Sequence, residues 1–171
     1  MHSRTKTFVL ALIMTLVLVT ITGCSSSSLD QEYDEYTGTI TQPNLGKRTL
    51  SLNTIYLKVW FNEGKVEGSG KAVLDDTSQF AGDTTFTDTY NFKFQGTYDE
   101  KTGMLNGLVA VTGGSVCNSN CTGTSNSTYN HSSYWQAQVV SGRIVNGKIS
   151  AYPDFKTSYF LFEAAAAKMN K

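Results

Sequence analysis

The sequence has no excess of charge of either sign, little proline, and few cysteines or histidines. Its 14 basic and 14 acidic side chains give a formal net charge of zero, which excludes the strongly basic surface of a general nucleic-acid-binding protein. With three Cys and two His, the chain lacks the repeated Cys and His pairs of a structural zinc site. Hydrophobic residues at 40% nevertheless exclude a wholly disordered chain, and 171 residues suffice for one domain with a real core.

Sequence motifs of enzymes are absent as well. The chain contains no Gly-x-Ser-x-Gly, no His-Glu-x-x-His, no EF-hand loop and no phosphate-binding glycine loop. Two pairs of adjacent acids, Asp75-Asp76 and Asp99-Glu100, lie in predicted turns, where carboxylates are usually solvated. We therefore expect a protein that is not an enzyme and that binds no cofactor and no metal ion.

The one long apolar run stands at the N-terminus. Residues 8–21 (FVLALIMTLVLVTI) carry no charge and follow two basic residues, Arg4 and Lys6. The run is shorter than the about 20 residues of a bilayer-spanning helix, and a basic region, a short apolar run and small residues in this order are typical of an export signal. An ordinary signal-anchor helix is the alternative interpretation.

The apolar run ends in Ile21-Thr22-Gly23-Cys24, which resembles the lipobox of bacterial lipoproteins. The resemblance implies that residues 1–23 are a signal peptide, cleaved before Cys24 once a diacylglyceryl group is attached to its thiol. Several acyl chains on one residue anchor a protein stably, so Cys24 would hold the protein at a membrane. Ser25 follows the cysteine, and a residue other than Asp there resembles the signal that sends Gram-negative lipoproteins to the outer membrane. We expect a lipid-anchored protein of the bacterial cell envelope.

The mature chain is predicted to consist of a tether and one folded domain. Residues 24–35 are expected to be a flexible polar tether, because a serine run followed by charged residues has no hydrophobic periodicity. Residues 36–171 are expected to form a single β domain. In the clearest stretch, residues 90–98 (YNFKFQGTY), an aromatic residue or glycine occupies every second position. Such alternation predicts half-buried antiparallel strands.

About eight strands are predicted, joined by tight turns into an antiparallel meander. Residues 62–64 and 99–103 are predicted turns that end in glycine, and Asn146-Gly147 is the dipeptide typical of a two-residue type I′ turn. The meander is expected to close as a small up-and-down barrel or to form a curved sheet or sandwich. Residues 163–168 (EAAAAK) are the one helix-friendly stretch, at the C-terminus. The predicted strands are 36–42, 49–61, 65–74, 85–98, 104–112, 133–144, 148–152 and 157–163.

A tract rich in Gly, Ser, Thr and Asn, residues 113–133, is predicted to be a long loop because it shows no periodicity. Cys117 and Cys121 lie within it and, with Cys24 lipidated, are the remaining pair of cysteines. An exported protein reaches an oxidising compartment, which favours a disulfide between them. A metal site formed by Cys117, Cys121 and His131 is the alternative, but it offers three ligands only.

Four side chains at the end of this tract are the candidate binding residues: Tyr129, His131, Tyr134 and Trp135. Aromatic residues in strands mostly belong to the core. Those beside a polar loop differ, because rigid aromatics among small polar residues are typical of binding loops. His131 is also the one histidine that remains after signal cleavage, so any histidine-dependent mechanism would need it.

A further resemblance covers much of residues 50–112. The runs WFNEGKVEGSG and FQGTYDEKTGMLNG, in which a strand and turn lead to two glycines four residues apart, resemble hairpins of small β-barrel domains in Gram-negative surface lipoproteins of the transferrin-binding-protein type. The resemblance implies a barrel and no particular ligand. Glycines within strands indicate either tight curvature or room for a bulky neighbour, with chance recurrence as the alternative.

Three functions follow from these expectations. The first is a membrane-anchored binding module that engages a protein or cell-surface partner through its loops. The second is a small-ligand carrier that uses the barrel interior, with a cavity lined by Tyr90, Phe92 and Phe94. The third is an envelope enzyme without a recognisable motif.

Overall fold

The computed structural model describes residues 32–43, 45–46, 48–76, 84–121 and 127–167. The predicted signal peptide, Cys24 and the tether up to residue 31 lie outside the described residues. Within the described ranges no helix is long and apolar enough to cross a membrane.

Eight antiparallel strands follow one another around a closed barrel, and the last strand returns to pair with the first. This confirms the all-β prediction and selects the up-and-down barrel from the expected alternatives. Closure stabilises the fold because it gives the backbone groups of the outermost strands a partner. The strands are β1 (Asp34–Thr41), β2 (Arg48–Trp60), β3 (Lys65–Asp76), β4 (Thr85–Asp99), β5 (Met104–Ser119), β6 (Ser127–Val140), β7 (Arg143–Ser150) and β8 (Phe160–Ala166).

The core is the interior of the barrel, and alternate residues of every strand fill it. Trp135 is wholly buried, with its ring edge-on to Phe94 at 5.5 Å and tilted against Phe162 at 6.2 Å between ring centroids. These three large rings occupy the middle of the lumen, so the barrel is a packed core and not a channel. Inward-facing glycines make room for such rings: a Cβ at Gly147 would lie 2.5 Å from the ring of Phe162. Gly147 therefore accommodates a bulky neighbour, whereas a Cβ at Gly107 would collide with the backbone of Gln95 and Gly96.

The predicted long loop at 113–133 is wrong. Strand β5 continues to Ser119 and β6 begins at Ser127, so most of the tract forms two strands of a tall hairpin. The register is regular from Met104 opposite Gln138 to Ser115 opposite Ser127. The tract lacks a hydrophobic pattern because neither face of these strand segments is fully buried, so that backbone pairing between the strands holds them in place.

The predicted turn at Asn146-Gly147 is also wrong. The chain turns instead at Ser141 and Gly142, whose φ angles of 50° and 72° are both positive, as a type I′ turn requires. Asn146 and Gly147 lie inside β7, where the register to β8 shifts between Ile144 and Gly147. Asn146 adopts φ 55°, so the Asn-Gly pair forms a bulge and not a hairpin loop.

Two expectations about the ends of the domain need correction. The expected C-terminal helix is strand β8, because closure of the barrel requires these residues to pair with β1, Gly38 opposite Ala164. The tether ends earlier than predicted: β1 begins at Asp34, and the ring of Tyr33 packs against Trp60 at 5.1 Å between centroids. The turns at 62–64 and 99–103 are confirmed, with Gly64 and Gly103 in the left-handed conformation.

Candidate functional site

The two ends of the barrel differ in the length of their connections. At one end lie the short turns 61–64, 100–103 and 141–142, and here Phe61 and Tyr98 pack edge to face at 4.8 Å against the core. The first residue of β1, Asp34, pairs with Val59 beside the first of these turns, so the chain enters the barrel at this closed end. The strand ends Thr41, Asp76, Ser119 and Ser150 lie at the opposite end, which we call the open end, and each is followed by a longer stretch of sequence before the next strand.

A cavity of about 270 Å³ lies inside the open end. Its lining is largely aromatic and aliphatic: Phe160 stands edge-on to Tyr90 at 5.0 Å and to Phe92 at 5.1 Å. The packed middle of the lumen closes the cavity from below, since Phe94 and Phe162 are fully buried beneath it. The volume suits a small ligand or one side chain of a partner, and not a drug-sized molecule. The remaining lining residues are Gln42, Val111, His131, Ser133, Ile149 and Tyr159.

Polar groups interrupt the apolar lining at three of these positions. Ser133 is 1% exposed, and Oε1 of Gln42 is buried without a hydrogen-bond partner in the described part of the chain. His131 lines the cavity from its exposed side. A buried amide oxygen without a partner costs free energy, which a ligand hydroxyl or amide could recover.

Tyr129 and Tyr90 form the rim above the cavity. Their rings lie 5.1 Å apart, and the Tyr129 hydroxyl donates a hydrogen bond of 2.5 Å to the carbonyl oxygen of Thr89. Burial, reinforced by the neighbouring Tyr90, raises the pKa of Tyr129 above its ordinary value. Burial, reinforced by the Asp88 carboxylate, also raises the pKa of Tyr90. Both phenols are therefore neutral hydrogen-bonding groups at physiological pH.

An ion pair lies at the same rim. Arg48 Nη1 contacts Oδ2 of Asp88 at 2.5 Å, with Asp88 only 7% exposed. A nearly buried carboxylate needs such a partner, because an unpaired buried charge is strongly destabilising. We therefore assign the pair to the structure of the rim, where it links β2 to β4.

The four candidate residues do not form one site. Odd-numbered residues of β6 face the lumen, so Tyr129 and His131 lie at the open end, while Trp135 lies deeper on the same face. Trp135 is wrong as a binding residue: it is 0% exposed, and its Nε1 donates a hydrogen bond of 3.1 Å to the carbonyl of Gln95. Tyr134 faces outward, 39% exposed, in a groove of about 740 Å³ shared with Leu108 and Phe155.

The disulfide is present between Cys117 and Cys121, with the Cα atoms 6.2 Å apart. It lies at the upper end of β5, next to strand β4, where Cys117 is opposite Phe86. Its position near the tip of the tall hairpin, remote from the buried rings, makes it a local constraint on the open end.

Several residues of the cavity were not found from the sequence. Phe160, Ile149 and Gln42 line it together with the expected Tyr90 and Phe92. Phe160 and Ile149 lie in β8 and β7, and Gln42 directly follows β1. The level at which each lies depends on the register between distant strands. Phe94, expected in the cavity, belongs to the packed core below it.

The chemistry available at this site is hydrogen bonding and apolar contact. Among the described residues, no hydrogen bond or ion pair joins His131 to a hydroxyl or a carboxylate, and no group of three or more His, Cys, Asp or Glu is arranged to hold a metal ion. Comparison of the chain with protein-family models, with curated proteins and with solved structures found no match.

Proposed function

We propose that this protein is a lipid-anchored, non-enzymatic binding module of the cell envelope, which engages a protein or cell-surface partner at the open end of its barrel. Lipid on Cys24 would hold the chain at a membrane, and the outer membrane is the proposed location. In this proposal the anchor and the binding site are separate parts of the chain, the lipidated Cys24 and the barrel.

The observation that carries the proposal is the opposite placement of the chain entry and the open end. The first strand begins at the closed end, where β1 starts beside the turn after β2. The cavity and the disulfide at the end of β5 lie at the opposite, open end. Binding residues commonly lie at one end of a rigid scaffold, on the segments that join its secondary-structure elements.

Site-directed photo-crosslinking in the cells of the host tests this proposal. A photoreactive residue in place of Val116, 48% exposed on the tall hairpin, should form an adduct with a specific partner. The same residue in place of Glu100, exposed at the closed end, is the matched control and should form none. Adducts of equal yield at both positions would contradict an open-end binding site. Loss of acyl labelling and membrane attachment in Cys24→Ser would test the anchor separately.

A small-ligand carrier is the second candidate function, and the open-end cavity favours it. Its aromatic wall and the Gln42 amide oxygen, which has no hydrogen-bond partner among the described residues, fit a small ring compound that bears a hydroxyl group. Native mass spectrometry of protein purified from host membranes should then show a bound small molecule. Val111→Trp, which fills the cavity, should remove it, and Leu108→Trp on the outer face is the control.

A further inference from the structure

Strand β6 is longer than the strand beside it, and its upper part has a partner on one side only. On the β5 side, pairing extends from Gln138 up to Ser127. On the β7 side, pairing begins at Tyr134, opposite Ser150, and continues only toward the closed end. Within the described ranges, no strand pairs with residues 127–133 on that side. We call this segment the β6 edge.

One hydrogen bond indicates which backbone N–H and C=O groups of the β6 edge point away from β5. The amide of Val139 donates to the carbonyl of Gly103 at 2.8 Å, on the β5 side. Residues of an antiparallel strand direct both backbone polar groups alternately to one neighbour and to the other. The register between β5 and β6 has no irregularity, so the odd-numbered residues bond to β5. Thr128, Asn130 and Ser132 therefore present their N–H and C=O groups to the open side.

The β6 edge lacks the features that usually prevent another strand from pairing. Proteins protect open edges with charged side chains, proline or bulges. Residues 104–142 contain no Asp, Glu, Lys, Arg or Pro, so the edge and the strand beside it are uncharged. Its residues are Ser, Thr, Asn, Tyr and His, which an added strand can approach closely.

The second open edge of the same barrel provides the contrast. Strand β2 extends beyond β1, whose pairing with it ends at Thr54, so residues 49–53 have no paired strand on that side in the described part of the chain. The charged Arg48 directly precedes this edge, and its register to β3 shifts between Leu50 and Leu52, which marks a bulge at Ser51. Of these two edges, the one on β2 is protected and the β6 edge is not.

We propose that the β6 edge binds an extended segment of a partner protein, which adds to the sheet as a further strand beside residues 127–133. Unpaired N–H and C=O groups at strand spacing are complementary to a polypeptide backbone, and strand addition to an exposed edge is a recurrent mode of peptide recognition. The inference rests on the proposed function and specifies how the open end would bind its partner.

The cavity would favour a particular kind of side chain in the added strand. Residues directly opposite one another on paired strands lie on the same face. Partner residues opposite Tyr129 and His131 would therefore point into the open end, above the wall of Tyr90, Phe92 and Phe160. A volume of about 270 Å³ accepts one aromatic or large aliphatic side chain at this position. The recognised segment is extended, with an apolar residue at an inward position.

Cross-linking from the edge tests the inference in the full-length protein in the envelope of its host. A photoreactive residue replaces Ser132 on the outer face of the edge. We expect an adduct with a polypeptide other than this chain, joined through one continuous segment. Asn130→Pro removes one edge-facing N–H without touching the bonds to β5 and should lower the adduct yield about tenfold. Asn130→Ala keeps the N–H and should leave the yield unchanged. Thr128→Pro is the second variant, and thermal unfolding checks that each protein is folded.

The other outcomes overturn the inference in distinguishable ways. A photoreactive residue at Val116 could form an adduct whose yield neither Asn130→Pro nor Thr128→Pro lowers. This outcome would support binding at the open end and contradict strand addition. An adduct consisting of a second copy of this chain would show edge-to-edge self-association instead. An adduct resistant to protease digestion would indicate a glycan or lipid. Absence of adducts at both Ser132 and Val116 would overturn the inference and the proposed function together.

Discussion

Gly96 lies directly against the indole ring of Trp135, and the fit leaves no room for a side chain at position 96. A Cβ there would lie 2.8 Å from Cζ2 of Trp135 and would also collide with the carbonyl of Asn106 on the neighbouring strand. Trp135 fills the middle of the lumen and donates a hydrogen bond to Gln95, the residue before this glycine. Gly96 in β4 thus leaves the space that the indole ring of Trp135, the largest side chain in the core, occupies.

Gly96→Ala should therefore destabilise the barrel by overpacking. We expect a loss of about 1–3 kcal/mol in the free energy of unfolding, measured by urea denaturation. Gly70→Ala in β3 is the milder comparison and should cost less. Its Cβ would lie 2.9 Å from the end of the Ile40 side chain and 3.0 Å from the carbonyl oxygen of Thr54, whereas a Cβ at Gly96 would collide with the carbonyl oxygen of Asn106. A Gly96→Ala protein as stable as wild type would contradict the described packing.

The two neighbouring aromatics Tyr134 and Trp135 should differ sharply in their contribution to stability. Trp135→Ala removes a wholly buried ring and should cost about 3–5 kcal/mol. Tyr134→Ala changes an exposed side chain on the outer face and should alter stability by no more than about 0.5 kcal/mol. Urea unfolding of both variants decides which residue belongs to the core, and similar losses would mean that the register of β6 is shifted.

The Tyr129 hydroxyl should stabilise the rim in a pH-dependent way. Tyr129→Phe loses the hydrogen bond to Thr89 and should cost about 0.5–1.5 kcal/mol at neutral pH. Burial raises the pKa of Tyr129 in the folded chain, so the neutral phenol stabilises the fold fully below the unfolded pKa of about 10. That stabilisation is lost as the pH rises above about 10 toward the folded value. The stability of wild type should fall more steeply in this range than that of Tyr129→Phe, and parallel curves would contradict the assignment.

The disulfide should contribute little to global stability. It closes a short ring, Cys117 to Cys121, at the end of β5, away from the rings that fill the lumen. We expect Cys117→Ser/Cys121→Ser to lower the free energy of unfolding by less than about 2 kcal/mol, below the about 2–5 kcal/mol typical of small secreted domains. Cross-linking at Val116 should weaken in the same variant, because the ring pre-organises the hairpin tip. A large drop in the urea midpoint would mean that the disulfide holds the barrel together.

The alternation of apolar and polar residues predicted the structure correctly wherever one face of a strand is buried. The alternation in residues 90–98 predicted both the strand and its inward face, because a half-buried strand must alternate. The turns ending at Gly64 and Gly103 were equally predictable, since a left-handed residue at these points favours glycine. The inward-facing Tyr90 and Phe92 of the cavity followed from the same alternation.

Local sequence predicted the wrong structure where pairing with a distant strand decides the conformation. The alanines of β8 favour a helix in isolation, yet they are a strand because β1 and β7 both need a partner. Asn146-Gly147 favours a turn, yet it forms a bulge because Gly147 faces the ring of Phe162. The polar tract at 113–133 is extended because β4, β5 and β6 satisfy one another's backbone groups.

The all-β class, the approximate number of strands and the inward face of most of them were predictable from the sequence, because these depend on residues close together in the chain. The closure of the barrel, the separation of Trp135 from Tyr129 and His131 by depth, and the unequal strand lengths that leave the β6 edge open became visible in the folded barrel alone. These features depend on register, and register is set by contacts between residues far apart in sequence.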